Sequence, residues 1–269
     1  MDSFIGEVRR VVATYISPYA TELKTTWIGL AVTSFAILSS GWLKASYGRH
    51  FTENALIPTI DGKVGWMTQE IIAPIAAITT FIAYKLGGPP VSKGNVLLGL
   101  FLVHYLNRAV ISVLLSPHMR STRIDTVLMS ISFNVVNGGW MGYDLGQLNG
   151  EPFIITPWTL LGFALFLGGW LANVSSDYHL QSIRRKKQDR GEYVLPEWGL
   201  YKYIVSPNYA SEMVEWTGYA LMMGKESSWV FVLWTFCNLA PRARTNLYWY
   251  REKFGEKVGN RKALIPGIY

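Results

Sequence analysis

The sequence predicts an all-α, polytopic membrane protein with about seven transmembrane helices, and three observations carry that expectation. Half of the 269 residues are hydrophobic and only 16% are charged, whereas a soluble domain carries about a quarter. The apolar residues fall in long runs and are not scattered over amphipathic stripes. The basic residues, which leave a net charge of +7, lie between those runs and toward the C-terminal end. In a soluble chain such a charge would point to nucleic acid. Here membrane anchoring and topology account for it, and no nucleic-acid partner is expected.

Residues 1–24 are amphipathic and are expected to lie along the membrane surface. The first apolar run follows Lys24 with no convincing cleavage site, so it is taken as a span and not as a signal peptide. Spans are expected at 25–43, 66–86, 94–115, 124–143, 157–176, 208–223 and 228–245. The sixth is short for a hydrocarbon core of about 30 Å; it must be tilted, half-inserted or buried among the others. The linkers at 44–65, 116–123 and 177–207 hold Lys44, Arg49, Arg120, Arg123 and the run RRKK at 184–187. Of the alternate linkers, one holds Lys85 and Lys93, and another only Asp144 and Glu151. The positive-inside rule then puts the first set and the C-terminus in the cytoplasm and the N-terminus outside. No repeat or linker divides the chain, so residues 1–269 form one domain.

Several chemistries are excluded early. The single cysteine, Cys237, rules out an internal disulfide and a cysteine-based metal site. The four histidines, His50, His104, His118 and His179, have no carboxylate grouping, and no metal is expected. There is no glycine-rich dinucleotide fingerprint, P-loop or H-E-x-x-H motif. A nucleotide, if bound, must therefore sit in a site built by membrane helices.

Ionisable groups inside spans are costly, which makes them functional candidates. In the second span Gln69 and Glu70 lie just inside an apolar run, with Pro74 four residues after Glu70. That proline removes the hydrogen bond to the carbonyl of residue 70, so an irregular, polar backbone is expected there. A lone carboxylate at Glu70 needs a partner or must stay protonated. The third span contributes FLVHYLNRAV, with His104, Tyr105 and Arg108. In the fifth, Asn173, Asp177 and Arg184 share a face that runs from the membrane into the basic cluster. The cluster alone is an anchor for anionic headgroups; with the polar face leading into it, the set suits a ligand with phosphates outside and hydroxyls inside. In PNYASEMVEWTGYALMMG, Asn208, Glu212, Glu215 and Tyr219 fall in one narrow stripe at about 100° per residue. Such a stripe is either a hydrogen-bonded brace between helices or a receptor for ribose hydroxyls and a carboxamide. Arg242, Asn246 and Tyr250 make a third stripe on the last span, where Arg and Tyr also commonly anchor.

The stretches NVSSDYHLQSIRRK, GEYVLPEWGLYKYIVSPNYASEMVEWTGYAL and NRKALIPGIY resemble the steroid 5α-reductase family. The pairs Gln69–Glu70 and His104–Tyr105 extend the resemblance over roughly residues 65–269. The P-N-Y-x-x-E-x-x-E-W pattern is shared more widely, with other membrane sterol reductases and with isoprenylcysteine carboxyl methyltransferases. The resemblance implies a seven-helix membrane enzyme that binds NADPH in residues 165–269 and reduces the C4–C5 double bond of a 3-oxo-Δ4 steroid. It implies that Asn173, Asp177, Arg184, Tyr193, Asn208, Glu212, Arg242, Asn246 and Tyr250 line the cofactor pocket. It also implies that Glu70 and Tyr105, in a carbonyl site within residues 65–120, meet the substrate oxygen, with Gln69 and Trp66 nearby. Asn246 departs from the histidine of animal members. Val194, after Tyr193, departs from their arginine and leaves phosphate charge to the RRKK run.

An alkene accepts hydride when conjugated to a carbonyl, because negative charge moves onto oxygen as an enolate. Tyr105 can donate a hydrogen bond to that oxygen; Glu70 can do so when protonated, which apolar burial favours. Glu212 is expected at the cofactor, Glu215 as a helix brace, and a solvent proton at the α-carbon. A methyltransferase binding S-adenosylmethionine, another sterol or polyprenoid double-bond reductase, and a non-enzymatic sterol-binding protein are the alternatives. The composition suits a bacterial inner membrane or an endoplasmic reticulum.

Overall fold

The protein is described here from a computed structural model that covers residues 2–41, 56–187 and 193–269. Lys44, Arg49 and His50 lie outside the described residues. A short helix α1 (Asp2–Val11) leads through π-helical and 3-10 turns into α2 (Ala20–Ser40). Then come α3 (Gly62–Tyr84) and α4 (Lys93–Tyr105), the latter continuing through a π-helical stretch (Leu106–Ile111) into α5 (Ser112–Leu115). The chain closes with α6 (Ile124–Leu148), α7 (Pro157–Lys187), α8 (Pro207–Met223) and α9 (Glu226–Phe254). The described part of each of the seven expected spans falls on one of these helices, counting α4 and α5 as one. Among the described residues, three segments are long and apolar enough to cross a membrane by themselves: Gly62–Tyr84, Lys93–Leu115 and Pro157–Lys186. Among the described residues, extended pairing is confined to a two-residue antiparallel pair, β1 (Thr59–Ile60) with β2 (Thr122–Arg123), and isolated bridges between Ser92 and Pro152 and between Ile204 and Lys262.

Local chemistry sets the helix ends. Asp61 accepts from the backbone N–H groups of Lys63 and Val64 at 2.9 and 3.1 Å, capping α3. Ser92 caps α4 by accepting from the N–H of Asn95 at 3.1 Å. Pro207 opens α8, where a missing N–H costs nothing, and Gly224 ends it in the left-handed conformation with φ 67°. The irregular backbone expected at Pro74 is not seen, since α3 is continuous through it. Neighbouring α6 supplies a side-chain donor instead: Asn134 Nδ2 donates to the carbonyl of Gln69 at 2.7 Å, one residue before the carbonyl that the proline deprives.

Small residues let helix backbones approach closely, which strengthens packing between apolar helices. Two seams are built this way. In α6, a Cβ on Gly142 would lie 2.1 Å from the carbonyl oxygen of Ala77, so α3 and α6 touch backbone to backbone there. In α8, a Cβ on Gly218 would lie 2.5 Å from the carbonyl oxygen of Gly162 in α7. Opposite the first seam, Ile71, Ile75, Ile78 and Ile82 form an exposed stripe on α3, the face expected to meet acyl chains. The short α8 is buried among its neighbours, with Trp216, Tyr219 and Met223 at most 1% exposed. The C-terminal RKALIPGIY stretch folds back beneath its start: the N–H groups of Val205 and Ser206 donate to the carbonyls of Lys262 and Ala263 at 2.9 and 3.2 Å. That clamp fixes the turn from which α8 begins.

Candidate active site

A cavity of about 1510 Å³ opens between the helices on the side where α5, α7 and α9 end and α3, α6 and α8 begin. From α3 it is lined by Trp66, Gln69 and Glu70; from α4 and the π-helical stretch, by His104, Tyr105 and Arg108. Asn173, Asp177 and Arg184 line it from α7, Asn208 and Glu212 from α8, Arg242 and Asn246 from α9, and Tyr193 from the α7–α8 connection. Tyr250 does not reach it. It is buried in a smaller adjoining cavity of about 40 Å³ with Arg184, Tyr193 and Trp249.

At the centre is Arg108, for which neither spacing nor the family resemblance implies a role. Arg108 Nε donates to Glu70 Oε2 at 3.2 Å, and Arg108 Nη1 donates to Glu212 Oε2 at 3.2 Å. Its guanidinium lies 5.2 Å from the centroid of the Trp66 ring, and Trp66 Nε1 donates to the Arg108 carbonyl at 3.3 Å. Of the two outcomes open to a carboxylate at Glu70, a partner or a bound proton, the structure supplies the partner, and two carboxylates share one guanidinium. The signal for Arg108 was present, because an Arg within an apolar run is a functional candidate by default. Its backbone is π-helical, a geometry frequent at functional sites.

Gln69 Nε2 donates to Glu70 Oε1 at 3.5 Å and completes the setting of that carboxylate. Tyr105 is 4% exposed, with its ring against Phe101, His104 and Trp216. Among the described residues its hydroxyl makes no hydrogen bond, so it keeps a donor for a ligand. Glu70 and Tyr105 line the same cavity as Asn208 and Glu212.

The polar faces of α7 and α8 are tied together. Asn208 Nδ2 donates to Asp177 Oδ1 at 2.9 Å, and Asn173 Nδ2 donates to the Asn208 carbonyl at 2.9 Å. Asn246 Nδ2 donates to Ser206 Oγ at 3.1 Å, on the turn held by the C-terminal clamp. The stripe on α8 divides in two. Asn208 and Glu212 face the cavity, whereas Glu215 and Tyr219 are fully buried and bind α4. Glu215 Oε1 is 2.6 Å from His104 Nδ1, and the Tyr219 hydroxyl donates to the Leu97 carbonyl at 3.1 Å. No group of His, Cys, Asp and Glu suited to a metal ion occurs among the described residues.

Against known proteins, residues 120–269 match the family described as 3-oxo-5-alpha-steroid 4-dehydrogenase. The chain is 34% identical over 229 residues to 3-oxo-5-alpha-steroid 4-dehydrogenase 1 of Mus musculus, covering 82% of this chain and 87% of that protein. It is 33% identical over 254 residues to steroid 5-alpha-reductase DET2 of Gossypium hirsutum, covering 91% and 92%. The Homo sapiens 3-oxo-5-alpha-steroid 4-dehydrogenase 1 is 32% identical over 228 residues. With a polar cavity between apolar helices and matches that span most of its length, this chain belongs to the 3-oxo-5-alpha-steroid 4-dehydrogenase family.

Proposed function

We propose that the protein is a membrane-embedded, NADPH-dependent reductase that saturates the C4–C5 double bond of a 3-oxo-Δ4 steroid to give the 5α-reduced product. The observation that carries this reading is convergence. Glu70 and Tyr105 open onto the same cavity as the polar faces of α7, α8 and α9. Its volume of about 1510 Å³ exceeds the roughly 300–1,000 Å³ that enclose one drug-sized ligand, which leaves room for two molecules side by side. The family match does not favour the methyltransferase alternative.

The lining fits the cofactor. Arg184, exposed at the mouth, and Arg242 suit phosphates, and the amides and carboxylates of Asn173, Asp177, Asn208 and Glu212 suit hydroxyls and a carboxamide. When bound, NADPH supplies the hydride. The chain's own residues do the rest. Tyr105 donates to the carbonyl oxygen as negative charge collects there, a contact worth about 3 kcal/mol in a water-poor site. With one proton on the Glu70–Glu212 pair, the two carboxyl groups and the Arg108 guanidinium are together neutral. That proton, placed on Glu70, gives the oxygen a second donor while Arg108 stays paired with Glu212. Trp66 and Gln69 hold this arrangement in register with the substrate.

In the bilayer, the seven long helices are the spans. The cavity mouth, near Arg120, Arg123 and Arg184, and the C-terminus face the cytoplasm, where the cofactor is. The test is NADPH consumption by detergent-purified protein given testosterone or progesterone. A product heavier by two hydrogens is expected, and no consumption with either steroid would refute the reading.

A further inference from the structure

We propose that His104 delivers the proton that completes the reduction, and that Glu215 holds it ready to do so; this rests on the reductase reading above. His104 lines the cavity, with its ring edge-on to that of Tyr105, centroids 5.1 Å apart, and tilted against Trp216 at 4.5 Å. His104 Nδ1 is 2.6 Å from Glu215 Oε1, and the two residues are 4% and 0% exposed. Glu215 Oε2 is buried with no hydrogen-bond partner among the described residues.

A brace between helices does not require this arrangement. The same helices are already joined by the neutral Tyr219–Leu97 bond, and a fully buried carboxylate with an idle oxygen is costly. What it supplies is orientation and charge. By accepting from Nδ1–H, Glu215 makes Nε2 the nitrogen available to a ligand, and it offers a counter-charge to an imidazolium. Among the described residues His104 Nε2 makes no hydrogen bond. The charged and titratable groups around the ring are Glu215 and Glu212 of α8, Glu70 of α3, and Tyr105 and Arg108 beside it.

The step balances. Hydride forms the C–H bond at the β-carbon, and the alkene electron pair moves through the conjugated system to the oxygen that Tyr105 holds. The carbonyl then re-forms, and the α-carbon takes the proton from Nε2. That N–H bond breaks as the C–H bond forms. A neutral imidazole remains, still donating Nδ1–H to Glu215, and a proton from water in the open cavity restores the imidazolium.

The experiment is steroid reduction by the full chain in D2O, with the face of the α-carbon that carries deuterium read by NMR. The wild-type protein should label one face. His104→Gln should lose about a hundredfold in kcat and label both faces, and added imidazole should restore His104→Ala at least roughly tenfold. If His104→Gln does not fold, Glu215→Gln keeps a neutral acceptor; its kcat should fall about tenfold with KM unchanged. Single-face labelling at wild-type rate by His104→Gln, or an unchanged kcat in Glu215→Gln, would overturn the proton-donor role and leave the reductase intact. A wild-type protein that consumes no NADPH with any 3-oxo-Δ4 steroid would overturn both.

Discussion

Where α4 begins and α6 ends, Ser92 donates to Asn149 Oδ1 at 2.6 Å, and Asn149 Nδ2 donates to the Leu86 carbonyl at 2.5 Å. Where α3 begins and α7 ends, Arg108 divides itself between Glu70 and Glu212. Both networks are polar and both join helices distant in sequence. The first uses neutral groups that satisfy one another and leaves nothing over, which is what a loop clasp needs. The second gathers charge, sets two carboxylates against one guanidinium, and opens onto a cavity. Stability alone gains little from that composition, because a desolvated ion pair roughly breaks even against apolar packing. A charged network that opens onto a cavity is better explained by a ligand that meets it there.

Breaking the charged network should produce the largest effect. Arg108→Met should leave Glu70 and Glu212 facing each other unpaired and cost about 3 kcal/mol, the lower end for a broken buried pair because the guanidinium is partly open to the cavity. Unfolding in mixed detergent and denaturant measures this; a loss within experimental error would show that the carboxylates do not depend on Arg108. Next, Tyr105→Phe should lower kcat about a hundredfold and leave NADPH affinity within about twofold, as quenching of Trp fluorescence would report. Loss of cofactor affinity instead would move Tyr105 from the substrate oxygen to the cofactor. The neutral clasp should give the smallest effect. Asn149→Ala should cost about 1.5 kcal/mol of stability with unchanged activity per folded molecule, and an equal fall in kcat would erase the distinction between the two regions.

The contrast also marks how far the residues could be interpreted without the fold. Helix positions were legible because each is a run of neighbouring residues with a required length, and the described part of all seven runs falls on helices. The polar faces of α7 and α8 were legible because helical periodicity brings Asn173 and Asp177, or Asn208 and Glu212, to one side. The division of the α8 stripe was only half legible. Periodicity puts Glu212 and Glu215 on one face, but which one meets a cavity depends on what α4 presents there. Pro74 misled for a similar reason, since a proline states which hydrogen bond is lost while Asn134, on another helix, supplies the donor beside it. The seam between α3 and α6 left a trace in Gly138, Gly142 and Gly146, spaced by four. Its partners Ala73 and Ala77 could not be named from that spacing.

Length, apolar runs and periodicity are properties of contiguous residues, so the chain alone dictates long helices with polar faces and a carboxylate and a tyrosine within two of them. The role of Arg108 is different in kind. Its partners lie 38 and 104 residues away, and they meet only because α3, α4 and α8 pack side by side. The same holds for His104 and Glu215, 111 residues apart. Whether a charge in a span is a liability or a site depends on distances of about 3 Å between helices, and only packing sets those.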